Sequence, residues 1–165
     1  MRLIGSYRSL PCVAPISGDE PLVKLVLHPT DGQETLAQAT DVFRYTDRKF
    51  EHWNCNTVGR ATKETPVQVY EMVRDGTFQE MFGGFGVAVS RLALTQAQIE
   101  RFAKRYPDWL KEAGNGTFFL FKVGKELLVA VVYLFSDGRF GVRIRRKRLS
   151  KPTCWWRGVS AQLRE

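Results

Sequence analysis

The sequence predicts an α+β fold: a mainly antiparallel sheet with a C-terminal three-stranded meander and one or more helices packed on it. Three observations carry this expectation. The hydrophobic period switches from helical to alternating at Gly114 to Gly116, three alternating runs then follow one another through short turn sequences, and the middle run is apolar on both faces. A strand apolar on both faces needs cover on each: the helix that precedes the meander can take one face, and the N-terminal half must supply the other.

The N-terminal half supplies weaker signals. Its first residues, MRLIGSYRSLPCVAPISG, contain an early Arg but no sustained apolar run, because Gly5, Ser6, Arg8 and Pro11 interrupt it, and they are not expected to act as a signal peptide. PLVKLVLHP (Pro21 to Pro29) predicts a strand, TDGQE a turn, and DVFRY (Asp41 to Tyr45) a returning strand. TPVQVYEMVRDG, with Thr65 as a cap and Pro66 at the first helical position, predicts a helix, although Val67, Val69 and Val73 also fit alternation. TFQEMF repeats a capping pattern with Thr77 and Glu80, and FGVAVSRLAL predicts a strand leading into the next helix.

That helix has the strongest signature in the chain. In LTQAQIERFAKRYPDWLKEAGNG, Thr95 and Gln98 form a capping box, Leu94 and Ile99 are placed as a hydrophobic staple, and Ile99, Phe102, Ala103, Tyr106 and Leu110 recur at helical spacing. Pro107 lacks a backbone donor and disfavours helical geometry at Tyr106, so the helix kinks there or restarts with Pro107 in a first turn. Thr117 to Val123, Glu126 to Phe135 and Arg139 to Leu149 are then the meander strands, joined by GK and SDG.

One domain is expected over residues 1–165, since 165 residues with 44% apolar content bury a core without staples. Cys12, Cys55 and Cys154 are an odd, widely spaced set, which disfavours a disulfide framework and, with only His28 and His52 beside them, a zinc site. No metal or other cofactor is expected. The most apolar run, LLVAVVYLF, is too short to span a bilayer as a helix, and the expected location is cytoplasmic.

The charge is unevenly placed. Residues 138–165 hold nine Lys or Arg against one Glu, while residues 1–137 balance 16 basic with 16 acidic side chains, so the whole net charge of +8 sits in a basic C-terminal strand and tail. Such asymmetry points to an anionic partner, against the plainer alternative of a sheet edge guarded by cations. In DGRFGVRIRRKRLSK, Phe140, Val142 and Ile144 alternate with Gly141, Arg143, Arg145 and Lys147, which a pleated strand sends to opposite faces. One set belongs to the core, and the other makes a cationic row with a step of about 6–7 Å, close to the phosphate repeat of a nucleic-acid strand. Arg139, Arg146, Arg148, Lys151 and Arg157 extend the basic surface, and Trp155 and Trp156 stand beside it as candidates for stacking on unpaired bases or for closing the core.

Two further readings compete with a small non-catalytic nucleic-acid-binding protein. The cationic face also suits an acidic protein partner, which makes the chain an adaptor or inhibitor. DRKFEHWNCN gathers Asp47, Arg48, Lys49, Glu51, His52, Asn54 and Cys55, residue types a nuclease uses, but their spacing shows no oriented acid–base pair and no thiol–imidazole dyad. GGFG (Gly83 to Gly86) lacks the Lys and Ser/Thr of a phosphate-binding loop and does not open a helix, so it is expected to be a connection or bulge.

Overall fold

The computed structural model describes residues 13–15, 25–72, 77–83, 88–110, 116–146 and 157–161. Eight strands form one sheet: β1 (Val13–Pro15), β2 (Leu25–Leu27), β3 (Phe43–Thr46), β4 (Thr65–Met72), β5 (Gly116–Val123), β6 (Glu126–Leu134), β7 (Phe140–Arg146) and β8 (Arg157–Ala161). Their order is β1-β4-β8-β5-β6-β7-β3, with β2 also on β4; β5–β8 and β3–β7 are parallel and the other pairings antiparallel. The helices are α1 (Lys49–His52), α2 (Phe78–Gly83) and α3 (Gln96–Arg105). This is the α+β architecture with the predicted C-terminal meander, β5–β6–β7.

Both turns of the meander obey hairpin chemistry. Gly124 of the two-residue link lies at φ +57°, and Gly138 of Ser136–Asp137–Gly138 at φ +78°, the left-handed region that glycine enters without a Cβ penalty. The second turn is closed by Phe135 N–H to Arg139 C=O at 2.8 Å and by Gly138 N–H to Phe135 C=O at 2.9 Å.

The alternation of β5 and β6 builds a core on each face of the sheet. Phe119, Phe121, Leu128, Ala130 and Val132 face α3 and meet Ile99 and Phe102, together with Leu27, Leu36, Phe43 and Phe50 from the N-terminal half. On the opposite face, Phe118, Leu120, Val129 and Val131 lie under Phe78, Met81 and Phe82 of α2 and under Leu92. The second face therefore takes its cover from α2, at the end of the N-terminal half, and from the segment after it, while earlier N-terminal residues join α3 on the first.

Two segments depart from the sequence reading. TPVQVYEM is strand β4 and not a helix: Val67 and Val69 are buried on one face, β2 and β1 pair along one edge and β8 along the other, so tertiary pairing and β-branching override the capping signal. Pro66 is accommodated because it stands opposite Val26, whose N–H donates to the Tyr106 hydroxyl at 3.0 Å and whose C=O accepts from it at 2.8 Å. The segment at 88–94 is a 3₁₀ turn over Val89–Leu92 and not a strand, although Leu94 bridges to Phe121. Three residues per turn place Val89 and Leu92 on the same side, against the second core, where alternation would separate them.

Elsewhere the local signals and the structure agree. The Thr95–Gln98 capping box is formed, α3 ends at Arg105, and a 3₁₀ turn restarts at Pro107–Trp109. Thr77 Oγ1 accepts from Glu80 N–H at 3.1 Å at the start of α2. DVFRY is a strand, but it does not return beside β2; β3 runs parallel to β7 at the far end of the sheet. Among the described residues no helix is long and apolar enough to cross a membrane.

Candidate functional site

Among the described residues, the outer side of β7 is where the sheet outgrows its cover. The second core takes side chains from β5 and β6 but none from β7. The strand keeps the expected alternation: Val142 and Ile144 are buried against the first core, while Arg143 is exposed and Arg145 half-buried on the other side. Gly141 belongs to that outer set and is buried, because Phe135 and Tyr45 pack over it; a methyl group there would collide with the Phe135 ring and lie 3.2 Å from the Tyr45 Cβ. The two rings are 4.5 Å apart at a tilt of 52°, and the Tyr45 hydroxyl donates to Asp137 Oδ2 at 3.2 Å.

Around these rings lies a cleft of about 440 Å³ lined by Tyr45, Asp47, Lys49, Tyr133, Phe135, Arg143 and Arg145, with Thr46, Gly141 and Val142 between them. Two arginines and one lysine thus line it beside one carboxylate, although the Lys49 ammonium itself lies 5.3 Å from the Trp53 ring centre. The Arg143 guanidinium stacks 5.2 Å from the centre of the Tyr133 ring, and Arg145 lies 3.9 Å from Asp47. The Arg145 side chain is 33% exposed and that of Asp47 14%, and Arg145 Nη1 also donates to Ile144 C=O at 3.1 Å, so the long ion pair is the looser of its two contacts. Tyr45, Lys49, Tyr133 and Phe135 escape a sequence reading centred on the basic run. The parallel pairing of β3 with β7 brings Tyr45 there from nearly a hundred residues away, and the only trace in the sequence is a glycine at an outward position of the strand.

The other predicted site residues separate into groups. Arg139 lies beside the turn, 3.9 Å from Asp137. Arg146 has the parity of the core set and projects toward α1, its guanidinium 4.8 Å from the Trp53 ring centre and its Nε 3.9 Å from Glu126, so it does not join the Arg143–Arg145 row. Lys147, Arg148, Lys151, Trp155 and Trp156 lie outside the described residues. Arg157 begins β8, whose backbone runs between β4 and β5; residues 157–161 are thus interior to the sheet and not part of a tail.

The 47–55 segment is held together as an edge device. Asp47 N–H donates to Val142 C=O at 3.0 Å, its Oδ2 accepts from Ile144 N–H at 3.3 Å, and its Oδ1 accepts from Lys49 N–H at 3.1 Å. One carboxylate therefore finishes the β7 edge where β3 ends and starts α1. Glu51 and His52 are exposed, and among the described residues neither side chain makes a hydrogen bond or ion pair. Cys55 is buried, donates to Trp53 C=O at 3.3 Å, and its thiol is pushed up from its ordinary value by burial and by the Glu126 carboxylate, with Arg146 opposing. A raised thiol is the reverse of what a nucleophile requires.

Buried Gln96 ties the segment to α3, donating to Cys55 C=O at 2.8 Å and accepting from Leu36 N–H at 3.1 Å. Among the described residues no three His, Cys, Asp or Glu side chains are grouped to hold a metal ion. Set against known family models, curated proteins and solved structures, the chain matches none.

Proposed function

We propose that the protein binds nucleic acid without acting on it chemically, holding phosphates on the outer side of β7. The observation that carries this reading is the row of Arg143 and Arg145 on the outer side of β7, which the second core of the described residues does not reach and which lines one cleft. Alternate residues of a strand repeat at about 6–7 Å, a step that matches successive phosphates of one chain. At 3.9 Å the Arg145–Asp47 pair is long, and nine Lys or Arg against one Glu over residues 138–165 favour a polyanionic partner.

The test is a titration with single-stranded DNA, duplex DNA and RNA across a range of salt concentrations, with and without divalent metal. With four to six phosphates neutralised, log affinity falls against log salt with a slope of about −3 to −5. Arg143→Ala with Arg145→Ala lowers affinity for every sequence alike and makes that slope shallower by about 1–2, because phosphate contacts position without reading bases. A slope near zero, or selective binding of an acidic protein with no nucleic-acid affinity, overturns the reading in favour of an adaptor. Metal-dependent cleavage lost in Glu51→Gln or His52→Ala overturns it in favour of a nuclease.

A further inference from the structure

We infer that the cleft around Tyr45 is a subsite for an unpaired base, so that the ligand of this surface is single-stranded nucleic acid. The inference rests on the nucleic-acid reading above and adds the strandedness to it.

Tyr45 is 44% exposed, one of two large apolar side chains left open among the described residues, and it lines the same cleft as Arg143 and Arg145. The other, Val58, lines a separate depression with Arg60 and Lys122 and has no ring beside it. Tyr45 is also held in place. Its hydroxyl is engaged by Asp137, its ring rests on Phe135, and the missing side chain of Gly141 provides the floor on which both rings sit. A ring fixed in this way loses little freedom when a flat partner stacks on it. The glycine and its two rings would by themselves be a packing solution for an outward strand position. What packing alone leaves unexplained is the open cleft beside them and the two arginines, Arg143 and Arg145, on its wall.

The charges define how a strand would lie. Arg145 shares its field with Asp47, and Asp137 lies at the Tyr45 hydroxyl, whereas Arg143 has an aromatic neighbour and no carboxylate within ion-pair distance among the described residues. The phosphate therefore belongs on the Arg143 side and the base on the Tyr45 side, with the sugar between them. A cleft of about 440 Å³ lies within the usual range for small flat ligands. A duplex offers phosphates and base edges but keeps its base faces stacked inside, so an exposed ring beside arginines meets a base face only in an unpaired strand.

The experiment compares oligothymidylate with an abasic oligomer of equal length, by gel shift, for the wild-type chain, Tyr45→Ala and Tyr45→Phe. The wild type is expected to bind the base-bearing strand more tightly than the abasic one. Tyr45→Ala is expected to lose about 5- to 100-fold for oligothymidylate, to leave abasic affinity and the salt slope unchanged, and Tyr45→Phe to restore binding. Should Tyr45→Ala fail to fold, Tyr45→Leu keeps bulk over Gly141 without a π face and is expected to show the same loss. Equal wild-type affinity for the two oligomers, or a duplex of the same length bound as tightly as the single strand, overturns the base subsite while the phosphate reading stands. A Tyr45→Ala loss that is equal for both oligomers also overturns it, because the residue then acts through the fold. Absence of binding to every oligomer removes both the subsite and the function on which it rests.

Discussion

Val131 of β6 and Arg143 of β7 are register partners, side by side on the same face of the same sheet, yet one is 1% exposed beneath α2 and the other stands in solvent. The difference lies in the extent of the cover and not in the strands themselves. Phe78, Met81, Phe82 and Leu92 reach β5 and β6 and no farther, so the same pleat that makes a core on one side of the boundary makes a charged surface on the other. The amphipathic pattern of β7 thus follows the limit of the cover that the described residues provide, and the surface proposed above for binding lies beyond that limit.

The sharpest way to break this contrast is to exchange the residue types across the boundary. Val131→Arg buries an unpaired charge and is expected to cost at least about 4 kcal/mol, enough to remove the cooperative transition in urea. Arg143→Val is expected to fold with stability within about 1 kcal/mol of the wild type. Comparable losses in the two variants would mean that the outer side of β7 is covered after all. A smaller effect is expected from Gly141→Val, where the added side chain must displace Phe135 and Tyr45. The cost is about 1–3 kcal/mol by thermal or urea unfolding, with the wild-type fold retained by circular dichroism.

The smallest effect distinguishes the two faces of β7 at its charged end. Arg145→Ala and Arg146→Ala should each change stability by no more than about 1 kcal/mol, since one loses a 3.9 Å ion pair and the other an exposed cation–π contact. Their effects on nucleic-acid affinity are expected to differ. Arg145→Ala weakens binding, whereas Arg146→Ala changes it less, because Arg146 turns toward Trp53 on the opposite side. Equal losses would place the phosphates across the end of the strand and not along its outer face.

How much of this was legible in the sequence depended on the range over which each signal acts. The capping box of α3, the restart at Pro107, the turns at Gly124 and Gly138 and the alternation of β7 are all set within a few residues, and the structure carries each of them. β4 was misread because Thr65 and Pro66 imitate a helix start, while the partners that make it a strand lie tens of residues away on both sides. The segment at 89–92 failed for a related reason, since two apolar residues three apart satisfy either a short 3₁₀ turn or an imperfect strand until the second core chooses between them. The cationic half of the candidate site was visible as a basic run. Its aromatic half was not, because Tyr45 reaches Gly141 through a parallel pairing that no local periodicity announces.

The place of β8 bears on how the chain comes to fold. Residues 157–161 fill the gap between β4 and β5, so during synthesis every other strand of the sheet has emerged before the two halves can be joined. Until then β4 and β5 each hold an open backbone edge, the kind of edge that pairs with another chain when two nascent copies meet. Closing the sheet joins β8 to strands that lie some 40 and 90 residues upstream, and such long loops slow the final step. A chain shortened before Arg157 is therefore expected to be lost to aggregation, whatever the condition of its meander and helices.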